Sequence, residues 1–435
     1  GRITANGLTD LYGKGDVDNA EGTLTLGQLK WLDANLFDNH SGKIQTQESQ
    51  VSAQDVNNTQ GVWMAQQQLA IQTVNTLTNT GGKLIGGNDI TLAAIDLNNQ
   101  NGQIATTKSL QANIKGNLDN QQGNISANQS LTLTALNLNN TAGELGSANS
   151  SVSIYTADKI QNQHGIVSAA QQLQIKGQSL LNQSGTLSGH DVNIDITKQA
   201  LDNTHGKILS ATNLVLNTVG LDNQSGNIHA NDLLAINTHK QRLNNRYGNI
   251  STTGTLDING GELNNEKGLI QGNNALTINT HKQTLNNQST KDKGLLTQGK
   301  LDIQTGVLHN QDGSILSGQS ARIAGATLNN QSGQLQAAET LILQISGDVL
   351  NQSGTILAGK TLSVHAANIK NRQTDVTGHG LQGEQVQISA NNIDNQQGRI
   401  AANKNTVLML AGELDNQQGK ITAVDTLAIT GTATG

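Results

Sequence analysis

The sequence contains no cysteine and no proline, and aromatic residues make up only 1% of its 435 residues. Without cysteine, the chain can have neither disulfide bonds nor thiolate metal sites. Without proline, every backbone position keeps the N–H donor that extensive strand pairing requires. Few aromatics and an apolar content of 34% argue against a thick globular core. They favour a thin core that is repeated many times.

Charge is also scarce, because charged residues are 13% of the chain and the net charge is −6. This balance has the wrong sign for a nucleic-acid-binding protein, so we expect no nucleic-acid partner. No apolar run reaches the roughly 18 residues of a membrane-spanning helix, and we predict no transmembrane segment. No secretion signal opens the chain. If the protein is secreted, we therefore expect this sequence to be a fragment of a longer chain.

What the sequence does contain is the frame apolar-x-Asn-x-x-Gly-x-apolar, repeated twenty times. The glycine follows the asparagine three residues later in eighteen copies, and seven residues later at Gly294 and Gly378. The interval between copies is about 21 residues, because Gly22 and Gly419 are separated by nineteen repeats. A period near 20 residues with fixed turn residues indicates a solenoid.

A second apolar pair usually lies eight and ten residues after the glycine, as Leu131 and Leu133 do after Gly123. Alternation with a period of two residues is typical of a strand. We therefore predict an all-β fold, a parallel β-helix of about 20 coils with 20–21 residues each. A single repeat segment is expected to span residues 1–435, with less regular coils in residues 1–60.

The asparagine and glycine of the frame are predicted to form the corner of each coil. Asparagine tolerates left-handed backbone angles, and glycine permits a positive φ. Stacked asparagine side chains can also bond to each other, amide donor to carbonyl acceptor, as in cross-β structures. The predicted ladder includes Asn120, Asn140, Asn162, Asn182, Asn203, Asn223, Asn245 and Asn265.

The repeated L-[DN]-N-x-x-G-x-I motif, with L-x-I strands between copies, resembles the haemagglutinin repeat of two-partner-secretion exoproteins. That group includes filamentous haemagglutinins and contact-dependent growth inhibition toxins of Gram-negative bacteria. The resemblance implies a right-handed parallel β-helix in a long filament, secreted or held at the surface of a Gram-negative cell. It also implies one partner, a dedicated outer-membrane transporter through which the chain is exported.

The first functional hypothesis is a structural stalk that extends a distal receptor-binding or toxic domain of an adhesin or inhibition toxin. The second is a directly adhesive segment that binds a glycan or protein on a host or bacterial cell. The third is a polysaccharide-active β-helix enzyme, which needs paired carboxylates and long loops around a cleft. The repeat pattern leaves almost no room for such loops, so we predict no enzyme, no catalytic residue, no cofactor and no metal site.

Candidate partner-binding residues come from two irregular corners and one duplicated motif. Four residues are inserted at 290–293 and four at 374–377, and the hexapeptide INTHKQ occurs at 236–241 and at 278–283. Two interpretations stay open: tolerated drift with a duplicated turn, or a basic recognition edge that also includes Arg242. The candidates are Thr290, Lys291, Asp292, Lys293, Thr374, Asp375, His239, Lys240, His281 and Lys282.

Overall fold

The computed structural model describes residues 2–4, 10–376 and 378–431, and these residues form 56 β-strands and no helix. Among them there is consequently no helix that could cross a membrane. The chain divides into two compact units, Gly1–Ala211 and Thr212–Gly435. Parallel strands stack as a β-solenoid of about 20 turns, with about 21 residues in each turn. The predicted all-β solenoid is confirmed.

A regular turn contains three strands. The first follows the corner glycine, and the second follows a short bend. The third is only two or three residues long and ends directly before the corner asparagine. Each strand pairs in parallel with the equivalent strand of the next turn, so that Leu131 faces Val152 and Leu133 faces Ile154. Side chains alternate between the core and the surface, as a period of two requires.

Twenty-nine strands belong to the first unit. The first strands of its turns are Arg2–Thr4, Thr23–Thr25, Lys43–Thr46, Val62–Ala65, Lys83–Gly86, Gln103–Thr106, Asn124–Ala127, Glu144–Ser147, Ile166–Ala169, Thr186–Gly189 and Lys207–Ser210. The second strands are Asp10–Gly13, Leu69–Thr73, Ile90–Ala94, Leu110–Ile114, Leu131–Ala135, Val152–Thr156, Gln172–Gly177 and Asp191–Ile196. The third strands are Val17–Asp18, Thr76–Thr78, Asp96–Asn98, Asn117–Asp119, Asn137–Asn139, Lys159–Gln161, Ser179–Leu181 and Leu201–Asp202. In Gln28–Asp38 and Glu48–Asn57 the second and third strands are continuous.

Twenty-seven strands belong to the second unit. Its first strands are Asn227–Ala230, Asn249–Thr252, Leu269–Gly272, Gly294–Thr297, Ser314–Ser317, Gln334–Ala337, Thr355–Ala358 and Lys420–Ala423. Its second strands are Leu214–Thr218, Leu233–Asn237, Thr255–Asn259, Ala275–Asn279, Lys300–Gln304, Ala321–Gly325, Leu341–Ile345 and Thr426–Gly431. Its third strands are Leu221–Asp222, Leu243–Asn244, Leu263–Asn264, Leu285–Asn286, Val307–His309, Thr327–Asn329, Asp348–Leu350 and Leu414–Asp415. Three longer strands each combine two or three of the strands of a turn, and they are Thr361–Lys370, Gly380–Asp394 and Arg399–Leu410.

The core is a set of stacked aliphatic columns, one layer per turn. Ile104, Ile125 and Leu145 follow one another in register, and all three are buried. Burying one such side chain contributes about 1.5–3 kcal/mol. A single turn buries too few of them to offset the conformational entropy of about twenty residues, so each turn depends on its neighbours. In the first unit, Phe37 and Trp63 stack inside this core with ring centroids 5.1 Å apart.

The frame asparagines form a side-chain ladder within each unit, and all of them except Asn416 are buried. Each Nδ2 donates to the Oδ1 of the next asparagine along the chain, at 2.6–2.9 Å. Asn120 Nδ2 also donates to Gly123 O in its own turn and to Glu144 O in the next, both at 3.2 Å. The first ladder comprises Asn19, Asn39, Asn58, Asn79, Asn99, Asn120, Asn140, Asn162, Asn182 and Asn203, and the second comprises Asn223, Asn245, Asn265, Asn287, Asn310, Asn330, Asn351, Asn371, Asn395 and Asn416.

The corner glycine is required for a reason other than the predicted positive φ. The left-handed residue of the corner is the one before the glycine, for example Gln122 with φ 56°. A Cβ atom on Gly123 would lie 2.2 Å from Asn99 O of the preceding turn and 2.6 Å from Asn120 Oδ1. Glycine is therefore required at this position because two asparagines lie too close to it for a Cβ atom. The left-handed position before it accepts many residue types.

Candidate functional site

The two irregular corners lie in the second unit and share one local design. Thr290 and Thr374 take the place of the corner glycine, and both are buried, at 4% and 0% exposure. The Oγ1 atom of Thr290 accepts a hydrogen bond from Ser314 N at 3.0 Å, and that of Thr374 accepts one from Arg399 N at 2.9 Å. In a regular turn this amide bonds to the glycine carbonyl of the turn before, as Gln334 N does to Gly313 O. The threonine hydroxyl thus replaces a backbone acceptor.

The pairing of the strands gives both insertions other boundaries than the predicted 290–293 and 374–377. Gly294 pairs with Leu269, which is four residues past Asn265, yet Gly294 is seven residues past Asn287. The first insertion therefore has three extra residues, 291–293. Gly380 pairs with Thr355, which is four residues past Asn351, yet it is nine residues past Asn371. The second insertion therefore has five extra residues, 375–379, of which Thr377 lies outside the described residues.

This geometry removes Thr290 and Thr374 from the candidate binding surface, because their side chains are buried and their hydroxyls bond to backbone groups within the solenoid. The spacing of asparagine and glycine alone could not reveal this burial, because at both corners the threonine, and not the next glycine, occupies the corner position.

The first inserted loop is basic and exposed. Lys291, Asp292 and Lys293 all lie on the surface. A tight turn closes the loop through the bond from Lys293 N to Thr290 O at 2.9 Å. The loop backbone is tied to the following turn, because Lys291 N donates to Asp312 O at 3.3 Å. The two lysine side chains are therefore carried on an anchored backbone.

The second inserted loop is attached to turns on both sides of its own. Asp375 forms an ion pair with Lys420, two turns further along the unit, at 2.8 Å. On the other side, His379 Nδ1 lies 3.0 Å from Ser353 O in the preceding turn. Val376 is exposed at 61%. The two loops are four turns apart at the same corner, or about 19 Å at the usual strand spacing.

The duplicated INTHKQ segments form two copies of one turn. In each copy the hydroxyl of the threonine before the histidine donates to the glutamine carbonyl, with Thr238 Oγ1 2.6 Å from Gln241 O. The histidine and lysine both have left-handed backbones, with φ 51° and 63° at His239 and Lys240. His281 and Lys282 repeat this conformation two turns later. Both turns come directly before a third strand, whereas the inserted loops come directly after one.

The structure adds three residues that the sequence search missed, namely Arg246, Tyr247 and Lys267. Tyr247 occupies the left-handed corner position and is 45% exposed. The Arg246 guanidinium lies 4.8 Å from the centre of its ring, and Lys267 Nζ lies 5.3 Å from it. Nζ of Lys267 also donates to the Tyr247 hydroxyl at 3.2 Å. Summing charge along the sequence in short segments would have pointed to this region.

Shifted pKa values occur elsewhere on the surface. A hydrogen bond with Asp38 and the charge of that carboxylate raise the pKa of His40 above its ordinary value. Hydrogen bonds from Gln417 N and the Gln396 amide lower the pKa of Asp415. Within residues 2–4, 10–376 and 378–431, no three histidine, aspartate or glutamate side chains come together in a way that could hold a metal ion.

Comparison with known proteins identifies one family. The haemagglutinin repeat model matches the chain six times, at residues 10–122, 106–163, 151–205, 269–344, 332–395 and 383–434. Together these matches cover well over half of the sequence. No curated protein and no solved structure matches it.

Proposed function

The chain belongs to the haemagglutinin repeat family, and from this premise we propose that it is a stalk segment of a secreted, cell-surface adhesin or contact-dependent inhibition toxin. Proteins of this family are structural and adhesive, and they are typically secreted or located at the cell surface. The segment would hold a distal receptor-binding or toxic domain away from the producing cell. We further propose that the chain is exported through an outer-membrane two-partner-secretion transporter.

The observation that carries the proposal is the repetition of one contact from turn to turn. In each unit nine consecutive Asn–Asn hydrogen bonds join ten turns through the same buried corner. At about 4.8 Å per turn, ten turns extend a unit by roughly 45 Å. A spacer needs this property, because its length can then be set by the number of turns without a change in any single contact.

A spacing experiment tests the stalk. The chain is attached to a surface by its first residues and carries a gold label at its last residue, and the height of the label is measured by electron microscopy. Removing whole turns from the first unit is expected to lower the label by about 5 Å per turn. A label height that does not depend on the number of turns would rule out the spacer role.

The exposed basic residues of the second unit favour a second candidate function, direct adhesion. The labelled chain is expected to bind epithelial or bacterial cells saturably if this function holds. The spacing experiment does not depend on that result, so the two functions can be accepted or rejected separately.

A further inference from the structure

A serine and a histidine meet on the outer face of two first strands in the second unit. His229 and Ser251 lie opposite each other in Asn227–Ala230 and Asn249–Thr252, which pair in register. Ile250 is buried, so the alternation of the strand turns Ser251 outwards, where it is half-buried. Nδ1 of His229 lies 3.0 Å from the Ser251 hydroxyl oxygen. At this distance an imidazole can take the proton of a hydroxyl.

Asn231 sets the orientation and the tautomer of the His229 ring. Its Oδ1 lies 3.2 Å from His229 Nε2. A carboxamide oxygen can only accept a hydrogen bond, so this contact assigns the ring proton to Nε2. Nδ1 is then left with the lone pair that faces the Ser251 hydroxyl. This is the tautomer in which a histidine acts as a general base towards a serine.

The bend that carries Asn231 is anchored to the following turn. Thr252 Oγ1 donates to Asp232 O at 3.1 Å, and the Thr253 hydroxyl donates to Asn231 O. Two hydroxyls therefore hold the backbone on which the asparagine lies. The base and the nucleophile are positioned by the solenoid itself, before any substrate binds.

The turn after Ser251 places an amide donor beside the serine. Gln271 pairs in register with Ser251 and so faces the same side of the strands. Gln271 Nε2 donates to Asn273 Oδ1 at 2.7 Å, which uses one of its two hydrogens. The other hydrogen can bond to the oxyanion that forms when a serine attacks an ester carbonyl. Base, nucleophile and oxyanion donor thus come from consecutive turns, about 4.8 Å apart.

Two leucines continue this surface next to Gln271. Leu269 lies two residues before Gln271 in the same strand, and Leu296 pairs with Gln271 in the turn that follows. Both leucines are half-buried. They offer apolar area beside the oxyanion donor, which favours an aliphatic acyl group over a charged one.

We propose that Ser251 is a nucleophile that accepts the acyl group of a short aliphatic ester. Its hydroxyl oxygen attacks the ester carbonyl while His229 Nδ1 takes the proton. The tetrahedral intermediate then breaks the bond to the alcohol, which leaves with that proton, and acyl-Ser251 remains. Attack by water through the same base releases the carboxylic acid and restores Ser251. This inference does not depend on the stalk role.

The predicted absence of a catalytic residue rests on the lack of loops for a cleft with paired carboxylates. A serine activated by a histidine needs neither loops nor carboxylates. His229 and Ser251 are 22 residues apart, and only the pairing of two turns brings them together. The spacing of residues within one repeat could not indicate this pair.

The chain also contains its own controls, because three other serines occupy the same position in first strands of the first unit. They are Ser126, Ser168 and Ser188, and each is half-buried, as Ser251 is. Their partners in the neighbouring turns are alanine, glycine, serine or leucine, and none is a histidine. They share the environment of the strand with Ser251 but lack the base.

The test uses the whole chain and two probes. A fluorophosphonate labels activated serines, and mass spectrometry of the peptides locates the label and its rate of attachment. Release of nitrophenolate from p-nitrophenyl butyrate measures acyl transfer. The variants are Ser251→Ala, His229→Gln, Gln271→Ala and Asn231→Ala, with Ser168→Ala as the matched control. Circular dichroism verifies that each variant is folded.

We expect Ser251 to be labelled at least about tenfold faster than the three control serines, because a general base contributes about 10²–10⁴-fold. Nitrophenolate release should fall to the background rate in Ser251→Ala and His229→Gln. It should fall about tenfold or more in Gln271→Ala, and it should not change in Ser168→Ala. Both sustained release and a single equivalent support the proposal, since the first means that acyl-Ser251 is hydrolysed and the second that it is stable.

Asn231 is a positioning residue, and its role has a separate readout. In Asn231→Ala the Nδ1–H tautomer of His229 should become more populated, as measured by the chemical shifts of its ring nitrogens, and labelling of Ser251 should slow. An unchanged tautomer would exclude this role for Asn231. Equal labelling of Ser251 and the control serines, unchanged nitrophenolate release in Ser251→Ala, or unchanged labelling of Ser251 in His229→Gln would overturn the whole proposal.

Discussion

Asn120 is a representative ladder asparagine, and it bonds to three successive turns of the solenoid at once. Its carboxamide donates to the next asparagine, to the glycine carbonyl of its own turn, and to a carbonyl of the next turn. Its oxygen accepts from the asparagine before it, as Asn120 Oδ1 does from Asn99 Nδ2 at 2.7 Å. No other residue of similar size supplies both a donor and an acceptor with this geometry.

Replacing Asn120 with alanine is therefore expected to destabilise its own turn and both neighbours. Asn99 loses an acceptor and Asn140 loses a donor, and each buried group left without its partner costs about 1–3 kcal/mol. Hydrogen exchange of the amides between residues 99 and 145 should become faster. Asn113→Ala is the control, because Asn113 is exposed on a second strand. Equal exchange rates in the two variants would contradict the structural role of the ladder.

A second residue-scale prediction concerns pH. His40 Nδ1 lies 3.0 Å from Asp38 Oδ2, and this pair raises the pKa of His40. A raised pKa in the folded state means that the pair stabilises the turn fully below the ordinary histidine pKa of about 6.5, and that this stabilisation is lost as pH rises through the folded pKa. NMR titration should give a higher pKa for His40 than for the same residue in Asp38→Asn. An unchanged pKa would show that Asp38 is not the cause.

At the scale of the element, the two irregular corners show how the solenoid accepts extra residues. Thr290 and Thr374 enter the buried corner, and their hydroxyls supply the acceptor that the glycine carbonyl otherwise provides. The loops that follow can then differ in length, with three residues in one and five in the other. We infer that a threonine three residues after the ladder asparagine marks a corner that can carry an insertion.

The substitutions Thr374→Val and Thr374→Ser separate the hydroxyl from the shape of the side chain. Valine preserves the volume but leaves Arg399 N without an acceptor, at a cost of about 1–3 kcal/mol. Serine keeps the hydroxyl, so it should retain most of the stability. Exchange of the Arg399 amide measures the effect directly. Similar protection in the valine and serine variants would indicate that the hydrogen bond to Thr374 contributes little.

The sequence was sufficient to predict the strands of the regular turns, but it was not sufficient to predict the structure of the corners. Alternating pairs such as Leu131 and Leu133 identify strands because the same face is buried in every turn. The function of the corner glycine could not be deduced, since the carbonyl that excludes a Cβ atom at Gly123 belongs to Asn99, 24 residues away. The boundaries of the insertions depend in the same way on pairing between turns. The basic residues were found where they formed a motif, and missed at Arg246 and Lys267, where they did not.

At the scale of the whole molecule, a solenoid is held together by contacts between neighbouring turns. Asn117, Leu118 and Asp119 pair in register with Asn137, Leu138 and Asn139. Residue 140 therefore occupies the same place in its turn as residue 120, and the chain contains interchangeable segments of one turn each.

Deleting residues 120–139 should accordingly give a folded protein that is one turn shorter. Asp119 would then be followed by Asn140, and Asn99 would donate to Asn140 instead of Asn120. We expect an unchanged circular dichroism signal per residue and a melting temperature within a few degrees of that of the parent chain. Deleting residues 120–129 is the control, because the loss of half a turn destroys the pairing register. Equal damage from both deletions would contradict a fold built from independent turns.

The ladder also has a direction, because every carboxamide donates towards the C-terminal side of its unit. The last completed turn of a partly folded unit therefore presents a free amide donor, together with an unpaired strand, to the residues that follow it. It acts as a template onto which the next turn can form. A chain released gradually from its N-terminal end would consequently grow its solenoid in order, each new turn seeding the one after it.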